Sequence, residues 1–279
     1  MTLAERQARL AKVYDGEILP TYAVRFATPV LRAIDFRPAI RAVEIGCATG
    51  YLTRALARRL DRDSDLTALD EASAFVAEAR AKIEADTATH APVALLARAG
   101  LPLSLPLDDG AADLIVSNLA IAGSPDPRAA VQEAARALAR GGQLVLSAPL
   151  RGTWAEFFDL FRDVLREGRK LSRLAAVDRH IGALPDGGVI ASWLESAGLV
   201  AVELVVERWE ILFRSAREFF FAPLVELGPL SGWKELSGSG DEMQDAFFFT
   251  KEAIDAYFKG RAFPITVIAG IVKGWKQLF

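Results

Sequence analysis

The sequence is poor in the side chains that carry redox and metal chemistry. It holds one cysteine, Cys47, and two histidines, His90 and His180, in 279 residues. A single cysteine excludes an internal disulfide, and without a CxxC or a paired histidine there are too few soft ligands for a zinc site. Charge of one sign is missing too. With 33 Lys+Arg against 36 Asp+Glu and a formal net charge of -3, no global basic field exists to hold a nucleic-acid backbone. Long apolar runs are absent: the uncharged stretches Leu114–Pro125 and Ala262–Val272 end after about a dozen residues, where a membrane-spanning helix needs about 20. The first residues are charged and lack the apolar stretch and small-residue cleavage site of a secretory leader, so a cytoplasmic protein is expected. No GxxxxGK[ST] loop is present to cradle a triphosphate.

What is present is alternation. Ala42–Ile45, DLTALD, VALLAR, DLIVSN and QLVLSAP read as five short apolar strands, separated by helical stretches at Tyr51–Leu60, Ala72–Ile83 and Arg128–Leu138. The last of these has Asp126 as N-cap and Pro127 at its first position, and Gly141-Gly142 is expected to close it. Strand–helix alternation predicts a parallel sheet covered on both faces. Further on, Thr153-x-x-Glu156 has capping-box spacing. It opens a helix with Trp154, Phe157, Phe158, Phe161, Val164 and Leu165 at helical spacing. A helix over Val189–Ala197 and two late strands, VAVELVVERWEILF and ITVIAGIVKG, follow. The economical division is a single domain over 1–279: a helical segment (1–37), a cofactor-binding core (38–150), helices with a sixth strand (151–213), a helical insertion (214–264) and a seventh strand with its tail (265–279).

The strongest chemical signal is Glu44-Ile-Gly46-Cys47-Ala48-Thr-Gly50, where the first strand hands over to the first helix. Small residues there let a ligand lie against backbone. Asp70 closes the second strand twenty residues after Gly50, a spacing suited to a carboxylate that accepts from ribose hydroxyls. Both features imply a nucleoside-containing ligand. A dinucleotide fingerprint puts its glycines at i, i+2 and i+5, whereas here the small residues fall at i, i+2 and i+4 and Tyr51 occupies i+5. Cys47 reads as a small filler beside the loop, since no basic partner adjoins it.

These motifs resemble the class I S-adenosylmethionine-dependent methyltransferases of the type-11 kind, over roughly residues 10–150. EIGCATGYLT, ALDEASAFVAEAR, LPLDDGAADLIVSNLAI and ALARGGQLVLSAP follow the family's motifs in order. The resemblance implies an α/β, Rossmann-like seven-stranded sheet of order 3-2-1-4-5-7-6, with the helical insertion between strands 6 and 7. The later segment, ending in Gly274-Trp275-Lys276, is weakly similar to the malonyl-acyl-carrier-protein methyltransferases. Carried over by position, Gly46, Ala48 and Gly50 would line the methionine and ribose of S-adenosylmethionine, with Cys47 in the same loop, and Glu44 would orient that loop or the cofactor ammonium. Asp70, with Glu71 beside it, would take the ribose hydroxyls. Ser117 and Asn118 would present backbone carbonyls, and Tyr14 would close over the cofactor. No catalytic residue and no metal is assigned.

Two positions depart from the family. Ala48 stands where a central glycine is usual, and Leu101 stands where an adenine-contacting Asp is common. The acceptor implied is a small molecule or an acyl-carrier-bound group, and no nucleic acid is expected. For the Phe-rich insertion, with Phe219, Phe220, Phe221, Phe247, Phe248 and Phe249, three readings stay open: an acceptor pocket, a homodimer contact or core packing. The run RDVLREGRKLSR is read as a solvated helix face or, alternatively, as a basic patch for an acidic carrier. His180 reads as a surface or helix-end residue. Beside methyl transfer stand a hydroxylase-like activity or a non-catalytic partner role on the same fold, with a dinucleotide dehydrogenase disfavoured by the glycine spacing.

Overall fold

The computed structural model describes residues 2–278. Two helices, α1 (Leu3–Val13) and α2 (Val24–Ala33), flank a wider, π-type helical stretch over Tyr14–Ala23. The alternating core comes next: β1 (Arg41–Ile45), α3 (Tyr51–Ala57), β2 (Asp65–Asp70), α4 (Ser73–Glu84), β3 (Val93–Ala97), β4 (Ala112–Asn118), α5 (Pro127–Ala137) and β5 (Leu138–Pro149). Then come α6 (Ala155–Glu167), α7 (Leu171–Ala183), α8 (Gly187–Ser196) and β6 (Leu199–Phe213). Four helices, α9 (Ala216–Phe221), α10 (Pro223–Glu226), α11 (Leu230–Ser237) and α12 (Asp241–Phe258), precede β7 (Phe263–Lys276).

The seven strands form one sheet of order β3-β2-β1-β4-β5-β7-β6, as the motifs implied. β1 pairs in parallel with both β2 and β4, setting Ile45 beside Leu69 and Ser117, so three strand ends converge where the glycine loop begins. Helices on both faces leave the central strands no wet side, and Val43, Ile45, Leu114, Ile115, Leu144 and Val145 are all buried. No helix among the described residues is long and apolar enough to cross a membrane.

By its internal contacts the chain divides into two compact units. One comprises the residues up to 148, 187–206 and those from 269; the other comprises 149–186 and 207–268. The second unit has an aromatic core. Trp233 stacks on Phe157 with ring centres 4.1 Å apart, Phe219 packs against Phe157 at 5.6 Å, and all three are buried. The insertion's phenylalanines therefore divide: Phe219 belongs to this core, whereas Phe221, Phe248 and Phe249 stand in solvent.

Two local expectations are corrected. Thr153 and Glu156 do not form a capping box: the Thr153 hydroxyl pairs with the backbone of Ile268, and the Glu156 carboxylate accepts from the N–H and hydroxyl of Thr266. Backbone groups at the start of β7 outcompete the helix end for these side chains. Nor do Gly141 and Gly142 terminate α5. The helix ends at Ala137 and the chain turns directly into β5, where the ladder steps from Ala112–Leu138 to Leu114–Gln143. Gly141, at φ +71°, lies in that irregularity, which is where glycine serves a bulged strand.

Candidate functional site

The site is built in the first unit from the ends of β1, β2 and β4. Gly46 leaves β1 at φ +80°, and its N–H and that of Cys47 both donate to the carbonyl of Leu69 at 2.8 and 3.0 Å. A side chain at Gly46 would place its Cβ 2.2 Å from the Ala120 methyl, and one at Gly50, φ +84°, would meet Ala79 at 2.9 Å. The fold itself thus demands both glycines. Ala48 takes φ +44° without that excuse, a conformation disfavoured for an L-residue.

Asp70 fastens the loop. One of its oxygens accepts from the N–H of Ala48 at 2.8 Å, the other from the N–H of Ala72 at 2.9 Å. Each carboxylate oxygen has a second lone pair, so Asp70 can hold the loop and still accept from a ligand. Burial raises its pKa, opposed by the two backbone N–H groups. Glu71 accepts from the N–H of Gly100 at 2.8 Å. Glu44 is buried beneath the loop, and its carboxylate accepts from the Thr53 hydroxyl at 2.6 Å. Desolvation pushes its pKa up to about 7, and the negative charge of Asp70 adds to that shift.

Two clefts adjoin at Gly46. The first, about 280 Å³, is lined by Tyr14, Glu44, Cys47, Ala48, Tyr51 and Asn118, among others. The second, about 540 Å³, is bounded by Asp70, Glu71, Leu101, Pro102, Ala120 and Ser124, again with neighbours. Their linings contain three carboxylates, Glu44, Asp70 and Glu71, and no Lys, Arg or His. The two are suited to the two ends of an elongated, positively charged nucleoside. Leu101 contributes an apolar, nearly buried wall where the family's Asp is common.

Of the residues expected at the site, Tyr14, Glu44, Gly46, Cys47, Ala48, Gly50, Asp70, Glu71 and Asn118 are brought into one region. Tyr14 packs its ring 5.4 Å from Phe75, and burial, then the nearby carboxylates, drive its phenol pKa far up, so it stays protonated. Asn118 lines the first cleft while donating to the carbonyl of Ala23 and accepting from Ser147. The Cys47 thiol is buried against Ala68, Val76, Ala79 and Leu95, and desolvation raises its pKa. It is filler rather than a thiolate nucleophile. Ser117 lies deeper. It is fully buried, its hydroxyl donates to the carbonyl of Ile45 and accepts from the N–H of Ile121, and it lines neither cleft. His180, in the second unit, sits 5.7 Å from Phe158 with its pKa lowered by burial. In the basic run, Arg162, Arg166, Lys170 and Arg173 are paired with Asp178, Asp163 and Glu242, which favours the solvated-face reading.

Sequence reasoning missed one element. Asp15 accepts from the Thr49 hydroxyl at 2.7 Å and from the Lys82 ammonium, and Lys82 also donates to the carbonyl of Thr49 at 3.2 Å. Burial works to raise the Asp15 carboxyl, but the bonds from Lys82 and Thr49 outweigh it and hold its pKa below the usual value. This triad ties the segment that carries Tyr14 to the glycine loop. Asp15 directly follows the Tyr14 already singled out, and Thr49 lies inside the loop; only Lys82 gave no signal.

Comparison with known proteins agrees with this geometry. Residues 43–146 match the family described as a methyltransferase domain, type 11. The chain is 30% identical over 195 residues to the malonyl-[acyl-carrier protein] O-methyltransferase of Alcanivorax borkumensis, covering 70% of this chain and 59% of that protein. It therefore spans less than two thirds of that relative's length. Among solved structures, the YcgJ protein of Bacillus subtilis superposes with TM-score 0.56 at 15% identity, covering 91% of this chain and 99% of that one. A phosphoethanolamine N-methyltransferase of Haemonchus contortus, in complex with phosphomonomethylethanolamine and S-adenosylhomocysteine, gives 0.51 at 15% identity over 90% of this chain and 52% of its own. Motif order, sheet order and these matches make the chain similar to the class I methyltransferases, with the methyltransferase-domain match itself lying over residues 43–146.

Proposed function

We propose that this chain transfers a methyl group from S-adenosylmethionine to a small-molecule or carrier-bound acceptor. The observation that carries the reading is the pair of clefts meeting at Gly46, lined by three carboxylates and no cation. A dinucleotide would bring a pyrophosphate against those carboxylates, which is repulsive. S-adenosylmethionine instead brings a sulfonium and an ammonium, which they attract. Asp70 would hold the ribose, the backbone from Gly46 to Gly50 would follow the methionine portion, and Leu101 with Pro102 would pack on the adenine.

When bound, the cofactor supplies an activated methyl on a positively charged sulfur. The chain's task is to align an acceptor with that methyl and to exclude water. Tyr14 supports this as a buried, protonated phenol at the first cleft, and the Asp15–Thr49–Lys82 triad holds it there. No side chain lining the clefts is placed as a general base. Tyr14 stays protonated, and Glu44 is buried under the loop on Thr53. An acceptor that arrives deprotonated, such as a carboxylate, needs none. A carrier-bound acyl carboxylate would agree with the activity named for the Alcanivorax relative. The test is a screen of candidate acceptors with labelled methyl donor. Label appearing in a product supports transfer. Tight cofactor binding with no transfer to any acceptor would instead favour the non-transferase role on the same fold.

A further inference from the structure

We propose that Glu71 selects the base of the bound nucleoside, accepting a hydrogen bond from the 6-amino group of a purine, so that the second cleft prefers adenine to a purine without that amine. This role rests on the cofactor reading above and separates Glu71 from the ribose-binding part of the site. The second cleft offers a base an apolar wall made by Leu101, Pro102, Ala120 and Pro125. Polar side chains in its lining are few: Asp70, Glu71 and Ser124. Which base the cleft accepts is therefore decided by how these three are already engaged.

Asp70 is held at the glycine loop, its two oxygens accepting from the N–H groups of Ala48 and Ala72 at 2.8 and 2.9 Å. That keeps it beside the ribose rather than the base. The Ser124 hydroxyl accepts from the N–H of Asp126 at 3.1 Å, and a hydroxyl both donates and accepts, so it does not distinguish an amine from its replacements. Glu71 differs from both. A carboxylate accepts only, and its Oε1 takes the N–H of Gly100 at 2.8 Å. Gly100 directly precedes Leu101, so this bond holds the carboxylate next to the chain segment that forms the apolar wall. Its Oε2 has no hydrogen-bond partner among the described residues. A base packed on Leu101 and Pro102 would thus turn its edge toward an acceptor-only oxygen, which an exocyclic amine satisfies and a bare ring carbon does not. Glu71 is exposed, so water can replace a missing amine. Discrimination should accordingly be about tenfold, far short of the roughly 10⁴-fold reached where a polar group is left buried and unpaired.

The test is calorimetric titration of the full chain with S-adenosylhomocysteine and with its 6-deamino analogue, which keeps the purine ring nitrogens, the ribose and the amino-acid portion. Wild type should bind S-adenosylhomocysteine about tenfold more tightly than the analogue. Glu71→Ala should weaken S-adenosylhomocysteine about tenfold and leave the analogue unchanged, so that the preference disappears. Asp70→Ala should weaken both ligands by the same factor, because they share the ribose. Equal binding of the two ligands by wild type, or a preference that survives in Glu71→Ala, would overturn the proposal. So would equal weakening of both ligands by Glu71→Ala, since Glu71 would then only position the loop through Gly100. Failure of both ligands to bind wild type is a separate result: it would remove the cofactor site itself, and the role of Glu71 with it.

Discussion

Glu44 makes the site's affinity for a cation depend on pH in a way that can be worked out beforehand. Its carboxyl is fully buried and titrates at about 7 rather than 4.5, so near pH 6 it is mostly neutral and near pH 8 mostly charged. A unit positive charge about 5 Å away, at an effective dielectric constant of about 20, would favour the carboxylate by about 3 kcal/mol, roughly two pKa units. S-adenosylmethionine should therefore release close to one proton when it binds at pH 6, about 0.8 on this arithmetic. Its affinity should rise between pH 6 and 8. S-adenosylhomocysteine lacks the sulfonium charge and should release fewer protons. The assay is calorimetric titration at pH 6 in two buffers of different ionisation enthalpy, repeated with Glu44→Gln, which keeps an acceptor for Thr53 and should abolish the release. The same shift acts on stability with a definite sign. Between pH 4.5 and 7 the folded state binds more protons than the unfolded, so Glu44 erodes stability as pH rises through its folded pKa. The full loss is about 3 kcal/mol above pH 7, and Glu44→Gln should recover part of it at pH 8. Proton release identical in wild type and Glu44→Gln would refute this reasoning.

Three further substitutions probe other parts of the site. Asp70→Ala removes both the loop anchor and the ribose acceptor, and should weaken S-adenosylmethionine binding about ten- to a hundredfold by calorimetry; an unchanged dissociation constant rejects its role. Gly46→Ala forces a methyl onto Ala120 in a left-handed conformation and should cost about 2–4 kcal/mol in denaturant unfolding, so an unaltered midpoint would show that the loop relaxes freely. Lys82→Met should change stability by less than about 1 kcal/mol, because the pair with Asp15 is partly exposed. It should nevertheless speed amide hydrogen exchange over residues 14–23, and unchanged exchange there would remove the triad's clamping role.

Much of the first unit was legible because the signals were local. The strand–helix alternation, the glycine loop and Asp70 at the end of β2 each follow from a few consecutive residues, and the family's motif order then fixed where β6 and β7 enter the sheet. What escaped depended on partners distant in sequence. Asp15 meets Thr49 across 34 positions and Lys82 across 67, and no periodicity records such a meeting. Thr153 and Glu156 carried a correct capping spacing, but the backbone of β7, about 110 residues away, claimed both side chains. Gly141 and Gly142 were rightly seen as punctuation; that they mark a bulge rather than a helix end depends on the strand beside them.

The central claim is that the two clefts at Gly46 form a site for S-adenosylmethionine, and direct titration tests it most plainly. The full chain is titrated by calorimetry with S-adenosylmethionine, S-adenosylhomocysteine and NAD under one set of conditions at pH 8. The account predicts saturable binding of the first two at one site per chain and none of NAD. Failure of both sulfur nucleosides to bind, or NAD binding as tightly as either, would contradict it.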